Sequence, residues 1–112
     1  MTRVYRVEID EDAIADVTRI TQDLAAESTS AARGFLAAFR KVREGLSSFP
    51  ERGSVPRELE DLGMREFRQR PVGPYRAIYR VTDDAVYVHL VAHERQMLQP
   101  ILLRRNLRSI RR

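Results

Sequence analysis

The spacing of apolar residues changes once along this chain, and that change limits the folds open to it. From residue 10 to residue 49, apolar side chains recur every three or four positions, which is the period of amphipathic helices. From residue 64 to residue 92 they alternate with polar side chains or form short continuous runs, as β-strands do. Helices and strands segregated in this way indicate an α+β fold.

Two helices are predicted before residue 50. The first follows Asp10, which stands at an N-cap position, and its apolar stripe runs to about Ala26. The second begins at the polar residues 28–30 and ends before Pro50, because proline disfavours helical backbone in the residue that precedes it. Since so few residues separate the two helices, they should form an antiparallel hairpin.

Four strands are also predicted. They occupy about residues 3–9, 64–70, 75–82 and 85–92, with turns at residues 71–74 and 83–84. The last strand is apolar on both faces, so it should lie centrally in the sheet. Residues 50–63 are interpreted as an irregular connection with one helical turn at residues 57–62, and a terminal helix is predicted at residues 96–107.

The predicted order is therefore β-α-α-β-β-β-α, within a single domain of residues 1–112 that ends in a basic tail from about residue 104. A small, mostly antiparallel sheet should carry the helical hairpin on one face and leave the other face more open. Four arginines on two neighbouring strands are expected to project together from the more open face as a basic patch. These arginines are Arg68, Arg70, Arg76 and Arg80.

Composition excludes several classes of protein. The chain contains no cysteine, so it has no disulfide framework and no thiolate metal site. It carries neither a signal-peptide hydrophobic region nor an apolar run long enough to cross a bilayer, and it has no glycine-rich phosphate or dinucleotide motif. We therefore expect a cytoplasmic protein that uses no membrane, cofactor or metal.

Positive charge is concentrated in the second half of the chain. Residues 1–63 hold nine basic and twelve acidic side chains, whereas residues 64–112 hold eleven basic and four acidic ones. Only Lys41 among the 20 basic residues is a lysine, and guanidinium groups favour bidentate contacts with carboxylate or phosphate. This asymmetry indicates either an anionic partner or a basic face that is merely solvated.

Candidate acid–base chemistry is confined to the end of the last strand. His93 could transfer a proton beside Arg95, although a histidine at a strand end is more often a hydrogen-bonded structural residue. His89, within the strand, is interpreted as a packed side chain. The strand tyrosines could stack on nucleic-acid bases, but their alternation favours core packing. These tyrosines are Tyr75, Tyr79 and Tyr87.

Residues 73–81, with the sequence GPYRAIYRV, resemble the signature hairpin of the RelE/ParE toxin superfamily. The resemblance extends to the flanking strands, to Arg95 and to the arginine-rich residues 102–107. Members of this superfamily are the toxins of bacterial type II toxin–antitoxin systems. The resemblance therefore implies a cognate antitoxin as partner, in a toxin–antitoxin hetero-oligomer. An acidic segment of that antitoxin would become ordered across the helical hairpin and the sheet edge.

Toxins of this superfamily either cut messenger RNA on the ribosome or inhibit DNA gyrase, and this sequence is more similar to the second, ParE-like branch. The nucleases use strand lysines or a glutamate, together with arginines and a carboxy-terminal tyrosine or histidine. Here no lysine follows Lys41 and no tyrosine or histidine follows His93. Since guanidinium groups stay protonated at neutral pH, the arginines cannot replace the base. The resemblance implies a gyrase inhibitor with no catalytic residues of its own.

Two alternatives stay open. A ribosome-dependent messenger RNA endoribonuclease of the RelE type would use His93, Arg76, Arg95 and Glu66, and its partners would be the ribosome and mRNA. A non-toxic binding module would keep only the fold. For the favoured function, the residues expected to contact gyrase or the antitoxin are arginines of the strands and the terminal helix. They are Arg68, Arg70, Arg76, Arg80, Arg95, Arg104 and Arg105.

Overall fold

The computed structural model describes residues 3–105. Its strands are β1 Arg6–Ile9, β2 Phe67–Val72, β3 Tyr75–Val81 and β4 Ala85–His93, and its helices are α1 Glu11–Glu27, α2 Thr29–Ser48, α3 Arg57–Glu60 and α4 Leu98–Arg104, with a 3-10 helix at Pro50–Arg52. The predicted α+β class is confirmed, as is the order of its strands and main helices. The end of the predicted terminal helix and the basic tail from residue 106 lie outside the described residues.

A single residue, Ser28, joins α1 to α2. Its extended backbone ends α1 with a bond from its N–H to the Leu24 carbonyl, and its side chain begins α2 by accepting a 3.1 Å hydrogen bond from the Ala31 N–H. One residue thus satisfies backbone groups at both helix ends. The predicted helical hairpin is confirmed, with the apolar stripes of both helices buried against the sheet.

The sheet is four-stranded, in the order β1-β4-β3-β2, with β1 parallel to β4 and the other pairs antiparallel. The predicted central position of β4 is confirmed. The predicted bounds of β2 were wrong, because this strand begins only at Phe67 and continues through Pro71 to Val72. The turn to β3 therefore contains only Gly73, whose φ of +60° suits glycine, and Pro74.

Both faces of the sheet carry helices, so the second face is more covered than the sequence indicated. On the first face, the two long helices enclose a core that includes Phe35, Leu46 and Tyr79, which we call the hairpin-side core. On the second face, α3 and α4 bury a separate cluster that we call the back core. The back core comprises Leu59, Phe67, Ile78, Leu90, Ala92, Leu98, Ile101 and Leu102. Apolar residues of the connection before β2 and of the last helix supply this second layer.

A β-bulge in β4 places His89 between the partners of Ile78 and Tyr79. The imidazole is buried, with its Nδ1 2.6 Å from the Asp10 carboxylate and its ring edge-on to Phe67. Burial lowers the pKa of His89, and the nearby Asp10 carboxylate only partly opposes this effect. The interpretation of His89 as a packed side chain is confirmed. Asp10 occupies the N-cap position of α1, but its carboxylate binds His89 instead of capping the helix.

Candidate functional site

The four strand arginines do not share one face of the sheet. In the β2–β3 ladder Arg68 is opposite Tyr79 and Arg70 is opposite Ala77, and cross-strand partners lie on the same face. Arg68 and Arg70 therefore point to the hairpin side. The expectation of a single basic patch on the more open face is wrong, because the two-residue turn fixes a register that offsets the β2 arginines from the β3 arginines. Their roles in binding stay a prediction.

Arg68 and Arg70 are held beside the end of α2. A terminal nitrogen of Arg68 donates to the carbonyl oxygens of Glu51 and Gly53, at 3.2 and 2.8 Å. The guanidinium of Arg70 lies next to Gly45 of α2. Both side chains are partly buried, and the bonds from Arg68 help to fix the segment after α2.

Arg76 lies on the back face and is enclosed by hydrogen bonds. Its two terminal nitrogens contact both carboxylate oxygens of Glu58, at 3.0 and 2.8 Å, and also bind the Gln69 side chain and the Gln96 carbonyl. Only 12% of its side chain is exposed. Arg76 thus connects α3 to β2, β3 and the segment before α4, and the bonds from its guanidinium hold the pKa of Glu58 below the usual range.

Glu58→Gln is expected to lower the free energy of unfolding by about 1 kcal/mol at neutral pH, because it weakens the bidentate contact of a partly exposed pair. The pKa of Glu58 is lower in the folded state than its ordinary value of 4.5, so the stabilisation is present above pH 4.5 and is lost as pH falls through the folded pKa. Urea titrations across this range should show the two proteins converging in acid. Glu94→Gln, an exposed control, should leave the pH dependence unchanged.

Arg80 also lies on the back face, where its guanidinium is 6.0 Å from the centre of the Tyr87 ring. Tyr79 is fully buried in the hairpin-side core, and Tyr75 packs edge-on against Phe35 at its margin. These positions confirm core packing for Tyr79 and Tyr75, whereas Tyr87 is half-buried beside an arginine.

Of the four residues that a nuclease would need, only His93 and Arg95 lie close together. His93 is opposite Tyr75 and packs against its ring, whereas Arg76 faces the other side of the sheet. Glu66 immediately precedes β2, whose first residue pairs with Arg80. The ends of β3 are thus separated by about 20 Å along the strand, with His93 at one end and Glu66 at the other. Arg95 is exposed, and its backbone N–H donates to Nδ1 of His93.

A buried ion pair that the sequence analysis missed joins the first and last helices. Arg105, just after α4, binds the Asp16 carboxylate through both terminal nitrogens, at 2.7 and 2.9 Å. Asp16 is 1% exposed and also accepts a 2.9 Å bond from the Val91 N–H on the part of β4 beyond β1. Asp16 occupies the buried stripe of α1 between Ala13 and Ile20, and a carboxylate at such a position was the signal available in the sequence.

A polar cavity of about 350 Å³ adjoins this ion pair, between α1, α4 and the end of β4. His93, Arg19 and Asp23 line it together with Arg104, which is exposed, and Arg105. Within residues 3–105, no group of three or more potential ligands could hold a metal ion. Nor does any helix in that part of the chain have the length and apolar character to span a membrane.

The helical half of the chain separates its charges between two neighbouring helices. Helix α1 has five acidic residues and one basic residue, whereas α2 has four basic residues and one acidic residue. The four α2 cations are exposed and form no ion pair within the described part of the chain. They are Arg33, Arg40, Lys41 and Arg43. Residues 1–63 thus carry a small net negative charge although the exposed face of α2 is basic.

The fold is shared with proteins of toxin–antitoxin systems. Similar structures include the chromosomal ParDE system from P. aeruginosa, with a TM-score of 0.65 and 13% identity over 80% of this chain and 96% of that chain. The RelBE2 toxin–antitoxin complex from Mycobacterium tuberculosis has a TM-score of 0.56 and 24% identity, covering 81% and 99% of the two chains. YafQ from E. coli strain BL21(DE3) has a TM-score of 0.51 and 14% identity, covering 80% and 93%.

Residues 7–98 match the family described as the ParE toxin of the type II toxin–antitoxin system parDE. Since this match covers most of the chain, the protein belongs to the ParE toxin family. The predicted membership of the RelE/ParE superfamily is confirmed. A comparison with curated proteins found no match.

Proposed function

We propose that this ParE-family toxin acts by inhibiting DNA gyrase, without catalytic residues of its own, and that a cognate antitoxin neutralises it in the cytoplasm. The observation that carries the proposal is the dispersal of the nuclease candidates. Arg76 is enclosed by Glu58, His93 lies on the other side of the sheet, and Glu66 is at the opposite end of β3. A general base, an acid and a cation must meet at one phosphate for RNA cleavage, and Arg76, His93 and Glu66 do not meet in this arrangement.

The basic surface supplies contacts for such a binding function. Arg95 and Arg104 are exposed, and four cations cover the solvent face of α2. Exposed guanidinium groups suit an acidic protein segment or the phosphates of a gyrase–DNA complex. The antitoxin part of the proposal draws on the family and on the fold shared with proteins of the ParDE and RelBE2 toxin–antitoxin systems.

Purified protein should inhibit supercoiling by gyrase, and its controlled expression in a bacterial host should arrest growth with a DNA-damage response. If ribosome-bound messages are cut at codon positions and supercoiling is unaffected, the protein is the endoribonuclease and not the gyrase inhibitor. If expression does not arrest growth, the protein is a non-toxic binding module of the same fold. Co-expression of the protein encoded by the adjacent gene should restore growth if that protein is the antitoxin.

His93→Ala is expected to retain full growth arrest, because a gyrase inhibitor needs no proton transfer at this position. The half-buried imidazole packs on Tyr75, so its removal should cost about 1 kcal/mol of stability through the lost ring contact. Growth curves at matched protein levels measure the effect. A variant that is folded but harmless would identify His93 as a functional residue and favour RNA cleavage.

A further inference from the structure

An exposed aromatic ring marks a surface that the proposed function has not used. Phe49, the C-cap of α2, leaves 50% of its surface open to solvent, whereas Leu46 and Pro50 on either side of it in the chain are buried. A single exposed apolar residue needs no explanation. Phe49 differs because the segment that presents it, residues 49–53, is fixed by buried groups of the sheet.

The fixation of residues 49–53 depends on Tyr79 and Arg68. The buried Tyr79 hydroxyl donates to the Pro50 carbonyl at 2.5 Å and accepts from the Gly53 N–H at 3.1 Å. Arg68 donates to the carbonyls of Glu51 and Gly53. Burial raises the pKa of Tyr79, which keeps the hydroxyl protonated as a donor. A partner that contacts Phe49 therefore meets a surface that is already ordered, and binding costs little conformational entropy.

A concave pocket of about 450 Å³ lies beside Phe49, between the end of α2 and the residues before β1. Tyr5 and Pro50 line it, and two arginines stack on its rings. The Arg52 guanidinium is 4.4 Å from the centre of the Phe49 ring, and that of Arg3 is 5.0 Å from the centre of the Tyr5 ring. Neither arginine forms an ion pair within residues 3–105. Arg3 donates to the Asp83 carbonyl, but both guanidinium groups keep further donors for a carboxylate.

We infer that this Phe49 pocket is a docking site for an extended segment of the antitoxin, which inserts one apolar side chain against Phe49 and places a neighbouring carboxylate on Arg52 or Arg3. The inference rests on the proposed function and gives one position for the antitoxin contact. Aromatic and arginine residues in a preformed pocket are typical of the few positions that supply most of the binding free energy of an interface.

The charges around the pocket favour a peptide over a nucleic acid. Glu51 lines the pocket beside its two arginines, and the second cavity, which shares Arg3 and Tyr5 with it, also has a lining of mixed charge. That cavity is lined by Glu66 and Asp83 and by Arg65 and Arg68. A phosphate backbone carries charge of one sign and requires a predominantly positive channel, which this mixed lining does not supply. A peptide can meet both signs of charge because it carries apolar, acidic and basic side chains in sequence.

The test uses the full-length toxin and the protein encoded by the adjacent gene, supplied whole and as overlapping peptides. Calorimetry should identify one acidic peptide with an apolar residue whose affinity falls roughly tenfold or more in Phe49→Ala and in Arg52→Glu. Leu62→Ala and Arg57→Glu alter an exposed leucine and an exposed arginine outside the pocket, so both controls should bind as wild type does. Thermal melts verify that all four variants are folded.

Two results would overturn the inference and leave gyrase inhibition intact. One is wild-type affinity of Phe49→Ala and Arg52→Glu for the whole antitoxin and for every peptide. The other is that Phe49→Ala weakens binding of a labelled single-stranded oligonucleotide but leaves peptide binding unchanged. That result would assign the pocket to nucleic acid. If the wild-type toxin binds no neighbour-encoded protein and does not inhibit gyrase, the proposed function fails and this inference fails with it.

Discussion

Asp16→Ala should lower the free energy of unfolding by about 3–5 kcal/mol, the usual cost of removing one partner from a buried ion pair. The substitution leaves the Arg105 guanidinium without its carboxylate and the Val91 N–H without its acceptor. It therefore loosens the contact among α1, β4 and the end of α4. Urea unfolding followed by circular dichroism measures the change.

Two further variants distinguish the loss of the ion pair from a general effect of substitutions in α1. Asp23→Ala removes an exposed carboxylate beside the same cavity and should change stability by less than about 0.5 kcal/mol. Arg105→Ala combined with Asp16→Ala should cost less than the sum of the single substitutions, because the pair acts as a unit. If the free energy of unfolding of Asp16→Ala lies within about 1 kcal/mol of the wild-type value, the ion pair does not hold the last helix in place.

Gly53→Ala should destabilise the protein by about 3 kcal/mol, because the site has no room for a methyl group. A β-carbon there would overlap the Tyr79 hydroxyl and would lie 2.5 Å from the Gln69 carbonyl oxygen. The backbone of Gly53 has an ordinary φ of −73°, so the cause is space and not strain. The substitution pushes residues 49–53 away from the sheet and breaks the bonds to Tyr79. Differential scanning calorimetry should record a clear fall in Tm.

Gly34→Ala is the matched control, since it places the same methyl group in solvent on α2 with no atom within 4 Å. Alanine is a better helix former than glycine, so this variant should gain about 0.5–1 kcal/mol. The two substitutions are chemically identical and are expected to have opposite signs. Equal Tm values for Gly53→Ala and wild type would show that residues 49–53 are not clamped to the sheet.

The helical hairpin and the central strand could be predicted because local signals determine them. The apolar stripes of α1 and α2 repeat over many residues, the polar residues at 28–30 mark the joint, and β4 is apolar on both of its faces. Periodicity also assigned alternate residues of each strand to opposite faces. Periodicity could not predict which side chains of β2 share a face with those of β3, since the strand register depends on the length of the turn.

The candidate site was harder to predict than the fold for the same reason. Arg68 and Arg76 look equivalent in sequence, yet one binds the loop after α2 and the other binds Glu58 of α3. Such partners lie many residues away along the chain. The cover of the back face was also missed, because Leu59 sits in a segment with turn signals and α3 is only four residues long. Residues that bind distant partners are recognised only once the chain is folded.

The opposite charges of α1 and α2 have a consequence for the kinetics of encounter. Two adjacent antiparallel helices, one acidic and one basic, give the toxin an electric dipole across the hairpin. Of the two helices, α2 will therefore face an approaching anionic surface more often than α1, which raises the fraction of productive collisions at the hairpin before any contact forms. Such steering weakens as salt shortens the Debye length, so association will slow with ionic strength more than dissociation changes.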